Sequence, residues 1–127
     1  MNKGNEQLTI LYIEDNFANR VLIRRVLEAE GYRVLDAETA PEGIALAKAN
    51  KPDLILMDIN LPDMDGFEAT ARLRAMEHLR NIPIVALTAN VMKGDREKTL
   101  EAGCSGYIQK PIDVDLLPDQ LLSFLQG

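Results

Sequence analysis

Cysteine is almost absent from the chain. Cys104 stands alone, so no internal disulfide can form, as suits a reducing cytosol. Long apolar runs are also missing. None approaches the ~20 residues that a membrane-spanning helix needs. Residues 1–7 are polar and hold no apolar stretch of a signal peptide. Positive charge is in deficit, 14 Lys and Arg against 20 Asp and Glu, for a net charge of -6. A domain this acidic repels a phosphate backbone, which disfavours direct contact with nucleic acid. Histidine occurs once, as His78, in a helix-end or loop setting that reads as surface rather than as a metal ligand. The expectation is a soluble, cytoplasmic protein with neither membrane nor nucleic acid as a direct partner.

What is present is an ordinary globular balance, 127 residues with 46% apolar and 27% charged. That length suits one domain, taken as residues 1–127 with a core over about 8–125. Short apolar runs at 8–13, 32–35, 54–57, 82–87 and 106–108 read as strands. The first, third and fourth are apolar nearly throughout, as central parallel strands covered on both faces are. Between and after them, helical spacing predicts helices over 17–30, 41–50, 66–76, 91–102 and 113–126, with Gly31 and Gly103 as stops. Pro118 breaks the last of these, so the helix proper is placed from about 115–117, with proline in its first turn. Strand and helix alternating five times implies an α/β fold. The natural arrangement is a flavodoxin-like, doubly wound, five-stranded parallel sheet of order 2-1-3-4-5, with helices on both faces. In that order the strand sequence reverses between the first and third strands, and ligands bind beyond the carboxyl ends of strands at such a point.

The polar residues expected at those ends form a set. Glu14 and Asp15 follow the first strand, Asp58 ends the third, Thr88 follows the fourth, and Lys110 with Pro111 follows the fifth. Three converging carboxylates cannot all stay ionised without a counter-charge. A hard divalent cation with oxygen ligands is the usual remedy; Mg²⁺ fits, with Mn²⁺ admissible, and zinc does not, because no His or Cys is near. Such a site beside a hydroxyl and an ammonium suits phosphoryl transfer, which is mostly positioning and charge neutralisation. Asp58 is then the candidate nucleophile, forming an aspartyl phosphate.

These residues resemble the receiver domain of two-component response regulators, of the single-domain, chemotaxis-regulator-like kind. The likeness spans about residues 8–125. It rests on Glu14-Asp15, on the block Leu56-Met57-Asp58-Ile59-Asn60-Leu61-Pro62-Asp63-Met64-Asp65-Gly66, on Leu87-Thr88-Ala89, and on Tyr107-Ile108-Gln109-Lys110-Pro111. The resemblance implies a phosphorelay protein that takes a phosphoryl group on Asp58 from a partner phosphohistidine in a Mg²⁺-dependent reaction. It is not a turnover enzyme, since it catalyses only its own phosphorylation and dephosphorylation. Asp15 would ligate the metal directly, Glu14 mainly through water, and Asn60 through its backbone carbonyl. Thr88 and Lys110 would hold the phosphoryl group. Lys110–Pro111 would be a cis peptide, and Thr88 with Tyr107 would form the switch. Asn60 and Asn90 occupy positions that tune hydrolysis, and neither is a carboxylate, which implies slow self-dephosphorylation. The implied partner is a histidine kinase or a histidine phosphotransfer protein. The oligomeric state would be a monomer or a phosphorylation-dependent homodimer.

Plainer readings stand beside these. Glu14 and Asp15 also suit a helix start, Thr88 a strand or cap, Lys110 a surface, and Tyr107 a core. Cys104 reads as a small packing residue. Arg20, Arg24, Arg25 and Arg33 read as a solvated face, and Val91 and Met92 as exposed on the fourth helix. Two rival functions are weaker. An aspartate-dependent phosphohydrolase carries its nucleophile on the first strand with a second acid two residues on. A flavodoxin-like FMN carrier needs a glycine- and hydroxyl-rich loop where this chain has Asp15-Asn16-Phe17-Ala18-Asn19. A receiver excised from a larger protein is a further alternative; a stand-alone regulator acting through protein contacts is the expectation.

Overall fold

The computed structural model describes residues 7–89 and 93–126, with residues 93–96 described by backbone alone. Five strands alternate with five helices: β1 (Thr9–Ile13), α1 (Phe17–Ala29), β2 (Arg33–Ala37), α2 (Ala40–Ala49), β3 (Leu54–Asp58), α3 (Gly66–Arg74), β4 (Ile84–Thr88), α4 (Lys93–Glu101), β5 (Gly106–Gln109) and α5 (Leu117–Gln126). Every strand pair is parallel and the order is β2-β1-β3-β4-β5, as the alternating pattern predicts. The reversal of strand order thus falls between β1 and β3, which pair in register from Ile10 opposite Leu54 to Ile13 opposite Met57.

The two-residue period of the strands builds two cores. Leu11, Ile13, Ile55, Met57, Ile84 and Ala86 face one side, where they meet Ala47 of α2 and Leu73 of α3. Ile10, Tyr12, Leu54, Leu56, Val85 and Leu87 face the other, where they meet Ile23 and Leu27 of α1 and Leu117 and Leu121 of α5. Every residue of β3 and β4 is buried, which is why those segments read as unbroken apolar runs.

Side-chain caps fix where the helices start. Asn16, Thr39 and Asp65 accept the backbone N–H of Asn19, Glu42 and Phe67 at 2.9, 3.2 and 2.9 Å, opening α1, α2 and α3. Gly31 and Gly103 take φ of 94° and 110° just past α1 and α4, a conformation that costs glycine little. The helix α5 begins at Leu117, so Pro118 sits in its first turn, where the missing N–H is no loss. Other boundaries moved. The strand β2 runs on to Ala37, and α3 stops at Arg74, before a 3-10 turn at Glu77–Leu79. The fourth helix is described from Lys93; Asn90, Val91 and Met92 lie outside the described residues.

Arg74 explains the early stop of α3. Its guanidinium donates to the carbonyls of Gly103, Leu79, Arg80 and Ile82 at 2.9, 2.8, 3.2 and 2.6 Å, and to Ser105 Oγ at 3.2 Å. One side chain thus ties α3 to the residues that follow α4 and to those that precede β4. At the other end of the sheet the chain after β3 folds back tightly. A Cβ on Gly66 would lie 2.5 Å from Ile59 Cα, so only glycine lets α3 begin there. Gly66→Ala is therefore expected to destabilise the protein by ~1–3 kcal/mol, the usual cost of overpacking. A fall in the urea midpoint at an unchanged slope is the check.

Candidate functional site

The register of β1, β3 and β4 brings their last residues to one edge. Asp58 closes β3 opposite Leu87 of β4, and the Ile59 N–H bonds the Leu87 carbonyl at 3.1 Å. Glu14 follows Ile13, held by its own N–H on the Ala37 carbonyl at 3.0 Å. One carboxylate oxygen from each of Glu14, Asp15 and Asp58 lies within 4.8 Å of the other two. Glu14 is 0% and Asp58 4% exposed, while Asp15 faces solvent. The three acids predicted to converge do so.

Lys110 crosses from the end of β5 to meet them. Its backbone N–H bonds the Thr88 carbonyl at 2.8 Å, and the Lys110–Pro111 peptide is cis. Its ammonium lies 2.8 Å from Asp58 Oδ2 and 3.1 Å from Glu14 Oε1. The other oxygens also have donors: Asp58 Oδ1 accepts the Asn60 N–H at 2.8 Å, and Glu14 Oε2 accepts the Asn16 N–H at 3.3 Å. Thr88 is buried at the end of β4, Ala89 is exposed beside it, and Tyr107 is half-buried against the first core. The Asn60 side chain stands in solvent.

Electrostatics follow from burial. Desolvation pushes the Glu14 carboxyl above the ordinary glutamate value of 4.5, against the Lys110 hydrogen bond that lowers it, and the charge of Asp58 pushes it further up. Burial alone would lower Lys110, but hydrogen bonds to Asp58 and Glu14 outweigh it and raise its pKa above 10.5. Three acids facing one ammonium leave an excess of negative charge around oxygen donors only. That donor set fits a hard divalent cation and not a thiophilic one.

Two residues were not foreseen in their roles. Arg20 belongs to no solvated face: its side chain is 13% exposed, its Nη1 donates to the Glu14 carbonyl at 2.8 Å, and its Nε lies 3.6 Å from Asp36 Oδ2. Arg24 joins it on Asp36 at 2.8 Å, whereas Arg25 and Arg33 do face solvent. Tyr12, in the centre of β1, donates from its buried phenol to Glu14 Oε1 at 3.3 Å. Its burial, with Glu14 and Asp58 nearby, keeps that phenol protonated far above the usual tyrosine range. The four-residue spacing of Arg20 and Arg24 on α1 was the one available signal for the first. Nothing in an apolar strand marks a tyrosine as polar-partnered. His78 lies on the surface with Nε2 2.8 Å from the Ala47 carbonyl, and Cys104 is buried in the first core.

A parallel α/β sheet with an acid-rimmed cleft at its strand reversal and a lysine reaching over it defines a class of small signalling domain. Residues 10–122 match the response regulator receiver domain family, and the chain belongs to it. The polar-differentiation response regulator DivK of Brucella ovis is 43% identical over 117 residues, covering 92% of this chain and 95% of that protein. A sensor-kinase receiver domain of Pseudomonas aeruginosa, solved with magnesium coordinated in its active-site cleft, superposes with a TM-score of 0.87 at 39% identity, covering 95% of this chain and 99% of that one. A receiver domain of Saccharomyces cerevisiae, co-crystallised with its histidine phosphotransfer protein, gives 0.85 at 27% identity, covering 93% and 88%. No helix among the described residues is long and apolar enough to cross a membrane.

The raised pKa of Glu14 has a measurable sign. Between 4.5 and its raised value the native state holds more protons than the unfolded chain. Stability in chelator is therefore expected to fall as pH rises through that window, because the native state is then losing a proton it favours. Glu14→Gln should flatten this dependence in urea titrations run at a series of pH values. A decline of the same slope in that variant would remove Glu14 as its source.

Proposed function

We propose that this receiver domain accepts a phosphoryl group on Asp58 from a phosphohistidine of a partner protein, with Mg²⁺ held by Asp15, Asp58 and, through water, Glu14. The observation that carries this is the shared edge of Glu14, Asp15 and Asp58 under the ammonium of Lys110. As the family resemblance implies, the Asn60 backbone carbonyl would be a further oxygen donor. When bound, the cation would supply neutralisation of the phosphoryl oxygens as they meet three carboxylates.

The chain's own groups account for the rest. An Asp58 oxygen forms the new P–O bond as the P–N bond to the donor imidazole breaks, and the electron pair leaves with the ring nitrogen. Lys110 holds one phosphoryl oxygen by charge and the Thr88 hydroxyl donates to another. Phosphorylation adds roughly -1.5 to -2 charge to this strand edge. Thr88 then moves toward the group, Tyr107 turns inward beside Ala89, and α4, β5 and α5 present an altered face. That is a shift between two states, driven only by the difference in their affinity for the phosphoryl group. Asn60, neutral and solvent-facing, is poorly suited to activate a hydrolytic water, in keeping with slow self-dephosphorylation.

A docking surface for the phosphodonor adjoins the cleft. A groove of about 390 Å³ runs beside Lys110, lined by Asn19, Leu22, Ile23, Ala89, Pro111 and Ile112. Phe17 and Leu22 stand 71% and 49% exposed on the same helix. Apolar side chains left in solvent beside a reactive site suit a partner helix. This supports a histidine phosphotransfer protein or kinase helix as the occupant.

Two experiments test the proposal. Incubation with acetyl phosphate and Mg²⁺ is expected to label the wild-type protein and not Asp58→Asn, and chelation should abolish labelling; equal labelling of both proteins would discard Asp58 as acceptor. Leu22→Glu is expected to slow transfer from a phosphorylated histidine phosphotransfer protein at least tenfold, the cost of ~1.4 kcal/mol at a buried contact. The same variant should keep the wild-type rate with acetyl phosphate, which needs no docking surface.

A further inference from the structure

Glu14 is the most constrained acid of the cleft, and its partner inside the sheet is an unusual one. Tyr12 is fully buried at the centre of β1, between Asp36 on β2 and Leu56 on β3. An apolar residue would fill that strand position, and phenylalanine would bury the same ring with no polar atom to satisfy. The hydroxyl is placed where a carboxylate needs it. It donates to Glu14 Oε1 at 3.3 Å, the oxygen that also takes the Lys110 ammonium at 3.1 Å. The remaining contacts hold other parts of the same residue: the Asn16 N–H on Oε2, and Arg20 Nη1 on the carbonyl.

The two donors on Oε1 differ in what they are free to do. Lys110 ends in a flexible stem and is 21% exposed, so it can turn to an incoming phosphoryl group. Tyr12 is rigid, packed in the sheet among Ile10, Leu54 and Leu56. When Lys110 turns away, Tyr12 is the donor that stays on that oxygen, in a place closed to water. We propose that Tyr12 is a positioning residue for the acidic cleft, holding the Glu14 carboxylate in the orientation in which it serves the metal. This rests on the reading of Glu14, Asp15 and Asp58 as a Mg²⁺ site. Partners of metal-binding carboxylates set ligand orientation, and their loss usually weakens metal binding ten- to a hundredfold.

The test compares Tyr12→Phe with Tyr12→Leu in the full chain. Mg²⁺ affinity is read from the amide NMR shifts of Asp15 and Asn60, stability from the urea midpoint, and labelling from acetyl phosphate across a Mg²⁺ series. Tyr12→Phe keeps the ring and loses only the hydroxyl. It is expected to weaken Mg²⁺ binding about tenfold with little change in midpoint, and to recover nearly the full labelling rate at saturating Mg²⁺. Tyr12→Leu, which also loses packing, should weaken Mg²⁺ binding to the same degree while lowering the midpoint. Wild-type affinity in Tyr12→Phe would overturn the proposal. So would affinities that follow the midpoint through both variants, the mark of a packing role alone. Failure of the wild-type protein to label at Asp58 would overturn the phosphoacceptor reading instead, and the Mg²⁺ titrations would still decide for or against Tyr12.

Discussion

Mutual repulsion among Glu14, Asp15 and Asp58 is the constraint around which this molecule is arranged. Two of the three are nearly closed to water, where like charges are hardest to keep together. Lys110 offsets part of that cost, spanning Glu14 and Asp58 from a strand at the far side of β4. The remainder is negative charge that only a further cation could offset. Carboxylates held this close would gain more from a bound cation than isolated ones would.

The parallel sheet makes such an arrangement reachable. Strands that run the same way end at the same edge, so residues 44 and 52 positions apart in the chain meet without any long loop being ordered. Glu14, Asp58 and Lys110 are each fixed by a backbone bond at or beside them as well as by side chain. Ile59 continues the β3 ladder onto Leu87, Lys110 bonds the Thr88 carbonyl, and Glu14 bonds that of Ala37. Gly66 then lets the chain after Asp58 fold close over Ile59, with Asp65 capping the helix that follows. Asp63 reaches from that same loop to the Ala40 N–H at 3.2 Å, tying the start of α2 to it. The loop that bears Asn60 is thereby supported from two helices.

Much of this was readable from the residues. The unbroken apolar runs of β1, β3 and β4 have one physical cause, burial on both faces, and that cause also fixes their place at the centre of the sheet. Once the order is known, the polar residues at strand ends are the site. Pro118 could be placed because proline is tolerated only in a first turn. Other features depend on tertiary partners that no local pattern carries. The strand β2 outruns the apolar run that ends at Leu35, because Asp36 continues the pairing and Arg20 and Arg24 both reach it. The end of α3 is decided by the carbonyls that Arg74 finds, which lie five to twenty-nine residues away. Tyr12 looked like one more apolar strand residue because a hydroxyl leaves no trace in hydrophobic periodicity.

The grip of Arg74 would have a mechanical consequence for the proposed switch. It fastens the carbonyl of Gly103, two residues past the last turn of α4, to three carbonyls around the start of β4. The helix is nine residues long, about 13 Å at the usual rise. In the proposed switch, an anchored far end would turn a push delivered from the cleft into rotation about that point. Displacement would then be smallest beside Gly103 and grow along the helix toward the cleft. A fulcrum of this kind would let an ångström-scale rearrangement at one carboxylate be felt most strongly at the helix end nearer the cleft, without the sheet beneath having to deform.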